Sequence, residues 1–253
     1  MSADWTALDE IGGMPATLAS AGYRDRAVAL QGLVHDAHTY LTQGLGTDFA
    51  PLVVVADPTD WARNGEEAPP YGIPYASEDA LELVIPADPR ESVLVDAYAD
   101  FGSRESAERF GDLIAVHELG HLHVREMGLD LPMGWLNEFM ATYLSCCFLV
   151  AHRPEDAALW YALSRAHAEG VYPEHRSLEA LDELYFGVGA DNYFWYQNTL
   201  TLMVERVHAA LGLDFALRMR SAGLGPDTDS QTMLAAAELV HPGFEAWASS
   251  LRE

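Results

Sequence analysis

The chain has 253 residues, 49% hydrophobic and 21% charged, with a mean hydropathy of −0.03, a profile that excludes disorder, collagen and coiled coil. Its 39 acids face 14 bases, every base is arginine, and the formal charge is −25. A surface so short of cations argues against nucleic acid or anionic membrane as a partner, because binding phosphate needs lysine and arginine to displace counterions.

The opening stretch, MSADWTALDE, carries neither the basic nor the apolar region of a secretory signal, and no run reaches the roughly 18 apolar residues of a membrane span. The two cysteines, Cys146 and Cys147, are neighbours in sequence, a placement poorly suited to an intramolecular disulfide. A cytoplasmic protein is therefore expected. Residues 20–42 repeat Ala27, Leu30, Leu33, Val34 and Tyr40 or Leu41 at helical spacing and predict an amphipathic helix, broken by Gly44 and Gly46. The β-branched run from Pro51 to Ala56 predicts a buried strand, and the proline- and glycine-rich segment 62–80 a loop. Leu81–Ile85 and Ser92–Val95 are two further strand candidates. Beyond Gly102 the pattern turns helical. A helix starts near Ser103 and is capped by Gly128, and others are predicted over 135–152, 155–168, 192–211, 213–222 and 230–239. The economical fold is α+β: an N-terminal lobe, 1–130, with a sheet and the long helix, then an all-helical lobe, 131–253.

The long helix contains His117-Glu118-Leu119-Gly120-His121. Histidines at i and i+4 stand about 40° apart on one helix face, so both imidazoles can reach one metal ion. Glu118 lies about 100° round from His117, beside such an ion and placed to act as a base on its water. Phe110, Leu113, Ile114 and Val124 share the histidine face, which therefore points into the protein. His123 stands about 200° round from His121 and should not reach the metal. A zinc hydrolase needs three protein ligands and an open position. Glu138, with sixteen residues between it and His121, supplies the third from the next helix, across the turn 128–134. Asn137 beside it is a candidate for orienting a ligand.

With HELGH at 117–121 and the Asn137-Glu138-x-x-Ala141-x-Tyr143 pattern of the following helix, the chain resembles the gluzincin metallopeptidases, in which two histidines and a downstream glutamate bind zinc. The resemblance implies a zincin-like fold with the cleft between the lobes and floored by the HELGH helix. It implies zinc held by His117, His121 and Glu138, and cleavage of peptide bonds by a zinc-bound water with Glu118 as general base. It also implies a later tyrosine that stabilises the oxyanion. Tyr196 is the first choice and Tyr193 the second, on the stretch 191–198, where both could equally belong to an aromatic core with Phe194 and Trp195. Members of the family set a strand at the cleft rim for an extended peptide to pair with, and here Leu81–Ile85 or Ser92–Val95 could serve.

The expected substrates are peptides or unfolded protein segments. The alternative is a catalytically idle zinc-binding protein of zincin fold, a scaffold or regulator. Three further features read more simply: His35 and His38 as a polar helix face, Cys146 and Cys147 as small buried hydrophobes, and Glu179, Asp182 and Glu183 as a solvated helix face.

Overall fold

A computed structural model describes residues 5–64, 69–77, 79–129, 131–132 and 134–252. The chain is a mixed α/β protein that divides into two compact units, Met1–Leu122 and His123–Glu253.

The first unit runs β1 (Asp9–Ile11), β2 (Ala16–Ala19), α1 (Arg24–Leu45), β3 (Leu52–Ala56), α2 (Pro58–Trp61), β4 (Tyr75–Ser77), β5 (Glu82–Pro86), α3 (Val93–Ala99) and α4 (Arg104–Glu126), the last crossing the unit boundary. The five strands form one sheet in the order β1-β2-β3-β5-β4. β2, β3 and β5 are parallel, and the outer strands β1 and β4 are antiparallel to their neighbours. Val53 to Ala56 and Leu83 to Ile85 are all buried, as expected where a parallel sheet is covered on both faces and its strands are continuous apolar runs. On one face Val54, Ala56 and Val84 pack with Trp5 and Trp61. Arg26 of α1 ties the unit together, donating to the Pro86 carbonyl at 3.1 Å and pairing with Asp112 of α4 at 2.7 Å.

Three expectations change here. Ser92–Val95 is not a strand: Ser92 is the N-cap of α3, its hydroxyl accepting from the Val95 amide and donating to the Gly72 carbonyl at 2.6 Å. A run of three apolar residues is ambiguous between strand and helix, and the capping serine decides it. The predicted loop 62–80 contains β4, while residues 65–68 and 78 of that span lie outside the described residues. The first helix continues to Leu45, where Gly46 closes it with a left-handed φ of 68°.

The second unit is helical among its described residues: α5 (Trp135–His152), α6 (Pro154–Gly170), α7 (Leu178–Leu184), α8 (Ala190–Leu211), α9 (Asp214–Arg220), α10 (Ser230–Val240) and α11 (Phe244–Ser250). Of the turn expected over 128–134, Asp130 and Met133 lie outside the described residues. Every residue of α5 from Trp135 to Leu149 is buried, so this helix is the core of the unit, packed by α6 and α8. Phe139 and Tyr143 stack on each other, both meet Phe215 of α9 at an angle, and Phe139 also meets Phe244 of α11 edge to face. Among the described residues no helix is long and apolar enough to cross a membrane.

Candidate metal centre

On α4 the spacing of four residues does what helical geometry requires. The rings of His117 and His121 lie edge to face with centroids 4.7 Å apart, and their Nε2 atoms are 3.0 Å apart. Both side chains are buried. Two imidazole nitrogens aimed at the same point can share one proton or can both donate lone pairs to one cation. A carboxylate oxygen of Glu138 completes the group: ligand atoms of His117, His121 and Glu138 all lie within 4.8 Å of one another. Two imidazoles and a carboxylate, all buried, make a donor set of the kind found where zinc keeps a position open for substrate. The residues present therefore fit a metal ion. Among the described residues no other group of three or more such side chains could hold one. His35 and His38 are not part of the metal-competent group, and the His38 ring engages the Phe49 carbonyl at 3.0 Å.

Glu138 sits in the first turn of α5 and is only 1% exposed. A carboxylate so far from water must be hydrogen-bonded. Its Oε1 accepts from the Tyr185 hydroxyl and its Oε2 from the Gln197 side-chain amide at 2.7 Å. Burial, and then the charge of Glu138, push the Tyr185 hydroxyl pKa far up, so the phenol keeps its proton and remains a donor.

The start of α5 is held as closely. The Trp135 amide donates to Asp182 of α7 at 2.8 Å, and the indole of Trp135 to Ser230 at 2.9 Å. A Cβ on Gly134 would collide with the Asp182 carboxylate, so the glycine makes room for the cap. Asp182 is therefore no member of a solvated face. Burial raises its pKa, the hydrogen bond from Trp135 opposing the shift.

Glu118 is tied to the sheet. Its Oε2 accepts the Ala76 amide of β4 at 2.9 Å. Ala76 faces Leu83 across the antiparallel ladder, and because its N–H points away from β5 this is a non-hydrogen-bonded pair. Of the two edge strands, β1 and β4, it is β4 that reaches Glu118. Leu81–Ile85, one of the two segments considered for the rim, forms β5 (Glu82–Pro86), which is interior between β3 and β4.

The two tyrosines chosen for the oxyanion are placed differently. Tyr196 is fully buried and donates its hydroxyl to the Ser177 carbonyl at 2.8 Å. Tyr193 is half-buried, and its ring meets Tyr185 edge to face at 5.7 Å, next to the group that holds Glu138. Asn137 and His123 are buried, and His123 is outside the metal-competent group. Cys146 and Cys147 are free and buried, with the Cys146 thiol pushed up to about 12 by burial, which leaves no reactive thiolate at neutral pH.

The roles of Tyr185 and Gln197 are not legible in the sequence, and Asp182 reads there only as part of a solvated face. Tyr185 follows a seven-residue helix and Gln197 stands beside the tyrosine that drew attention. Neither has a spacing to α5 that a one-dimensional pattern could reveal. No known family model matches the chain, and no curated protein matches it in sequence.

Proposed function

We propose that this chain is a zinc-dependent hydrolase of zincin-like fold, cleaving peptide bonds in the manner of the gluzincins, with His117, His121 and Glu138 holding the metal. The observation that carries this reading is the convergence of three buried donor atoms on the helix that also carries Glu118, whose carboxylate is held by a main-chain amide rather than used as a ligand. Two nitrogens and one oxygen favour zinc among common divalent ions.

When bound, zinc would supply a polarised water of lowered pKa and a Lewis acid for the substrate carbonyl. Glu118 takes the proton as water attacks the carbonyl and returns it to the leaving amine. The Ala76 amide holds one oxygen of Glu118 and so orients the carboxylate. The Tyr196 hydroxyl is given to a main-chain carbonyl in a fully buried place, so the half-buried Tyr193, which lies beside Tyr185, is taken as the oxyanion donor. Peptides and unfolded segments are the expected substrates, since β4 lies at the sheet edge beside Glu118 and extended peptides are commonly recognised at sheet edges.

The test is digestion of a peptide library by purified protein, with and without chelator, beside metal analysis. The parent should carry about one equivalent of zinc and cleave in a chelator-sensitive way. Glu118→Gln should keep zinc and lose hydrolysis, Glu138→Ala should lose zinc, and Tyr193→Phe should lower kcat by about 100-fold. A parent that binds zinc and cleaves nothing is the idle zinc-binding protein instead. A parent that binds no zinc ends the metal reading altogether.

A further inference from the structure

We propose that α7 and the turn that follows it clamp the first turn of α5, with Tyr185 and Gln197 as positioning residues that set the Glu138 carboxylate for a metal ion. The inference rests on the reading that Glu138 is a metal ligand, and it adds which groups make it a good one.

The clamp acts at two points. At the start of α5, Asp182 accepts the Trp135 amide in the space that Gly134 leaves open. Three residues further along, Tyr185 brings its hydroxyl to Glu138 Oε1, while Gln197 on α8 reaches Oε2. The carboxylate is thus gripped at both oxygens by different elements, and rotation of its plane breaks one bond or the other. A carboxylate offers about four lone-pair directions, more than the two that Tyr185 and Gln197 take. Both donors are neutral. The amide of Gln197 must present its NH2 here, because an ionised carboxylate can only accept.

Tyr185 is held in place against its own backbone preference. It has φ 44° and ψ −113°, in the region where a side chain is strained and which recurs at functional sites. Its amide still closes α7 by bonding the Leu181 carbonyl, and its ring is braced by Tyr193. Were these hydrogen bonds only satisfying a buried carboxylate, removing one would affect folding and leave the character of the metal site alone. A positioning role makes metal affinity and ligand field depend on them.

The experiment uses the full chain and compares the parent with Tyr185→Phe, Gln197→Leu and the control Tyr143→Phe. The control deletes a hydroxyl on α5 that bonds the Gly212 carbonyl, five residues along the helix from Glu138 and so about 140° round from it. Zinc affinity is read by competition with a chromophoric chelator, the ligand field by the visible absorption of the cobalt-loaded protein, and folding by circular dichroism. Tyr185→Phe and Gln197→Leu should each weaken zinc binding by about 10–100-fold and shift the cobalt bands, with native dichroism. Tyr143→Phe should bind as the parent does. If Tyr185→Phe fails to fold, Gln197→Leu decides alone. Variants at 185 and 197 that bind zinc as tightly as the parent, with unmoved cobalt bands, overturn the proposal, as does an equal loss in the control. A parent that takes up no zinc overturns the metal reading and this inference with it, a result distinct from tight binding in every variant.

Discussion

At Gly134 the absence of a side chain is what lets a carboxylate cap a helix. The Asp182 oxygen stands where a Cβ would be, and from there it accepts the first amide of α5. This helix has no side-chain cap of its own, since its N-cap residue is the glycine, so Asp182 supplies from another helix what serine or aspartate usually supplies locally. Gly134→Ala should therefore cost about 1–3 kcal/mol, the range for a buried donor left unsatisfied, measured by urea denaturation. Asp182→Ala in the same chain should recover part of the collision and none of the hydrogen bond, which a double-mutant cycle separates. Tyr185 shows the converse, a side chain kept where glycine would be easier. Its conformation costs about 1–3 kcal/mol, offset by a hydroxyl bonded to Glu138 and a ring packed on Tyr193.

Among the elements, β4 links the sheet to the chemistry proposed for α4. It is three residues long, antiparallel to β5 and at the sheet edge. Its central amide leaves the ladder to bond Glu118. Ala76→Pro removes that one donor without touching a β4–β5 hydrogen bond, and edge strands tolerate proline. The expected outcome is unchanged zinc binding with kcat/KM lowered by about 10–100-fold, the equivalent of a charged hydrogen bond of about 1.5–3 kcal/mol. Chelator competition and steady-state kinetics on one peptide check the two halves separately, and loss of zinc would mean the strand supports the fold rather than the base. The same short elements are the ones a linear pattern reads least well. β1, β2 and β4 have three or four residues each, too few for a period of two to stand out from chance. The Val93-Leu94-Val95 run changes identity through one capping hydroxyl. α4, α5 and α8 have 23, 18 and 22 residues, long enough for their periodicity and caps to declare them.

For the molecule as a whole, the dominant physical quantity is the charge of −25. A body so acidic attracts cationic peptides at long range and repels anionic ones, and salt screens both effects over a Debye length of about 8 Å at physiological ionic strength. Cleavage of an arginine-rich peptide should therefore be faster than that of a neutral peptide at low salt. The advantage should fade as salt rises while the neutral rate stays level, seen in kcat/KM against ionic strength. Equal salt dependence for the two peptides would place the acids away from any substrate path. Local periodicity and residue chemistry alone determine that α4 is a helix, that His117 and His121 share a face, and that Glu118 stands beside them, because these follow from rotation per residue along one continuous helix. The same reasoning made Glu138 a candidate third ligand by residue type and by the turn before it. Its arrival within ligand distance, the grip of Tyr185 and Gln197 on its carboxylate, the Asp182 cap on α5 and the Ala76 bond to Glu118 were decided only by the tertiary structure. The four hydrogen bonds among them join residues 42 to 59 positions apart, and no local propensity encodes which of many polar groups the packing of helices and sheet will bring together.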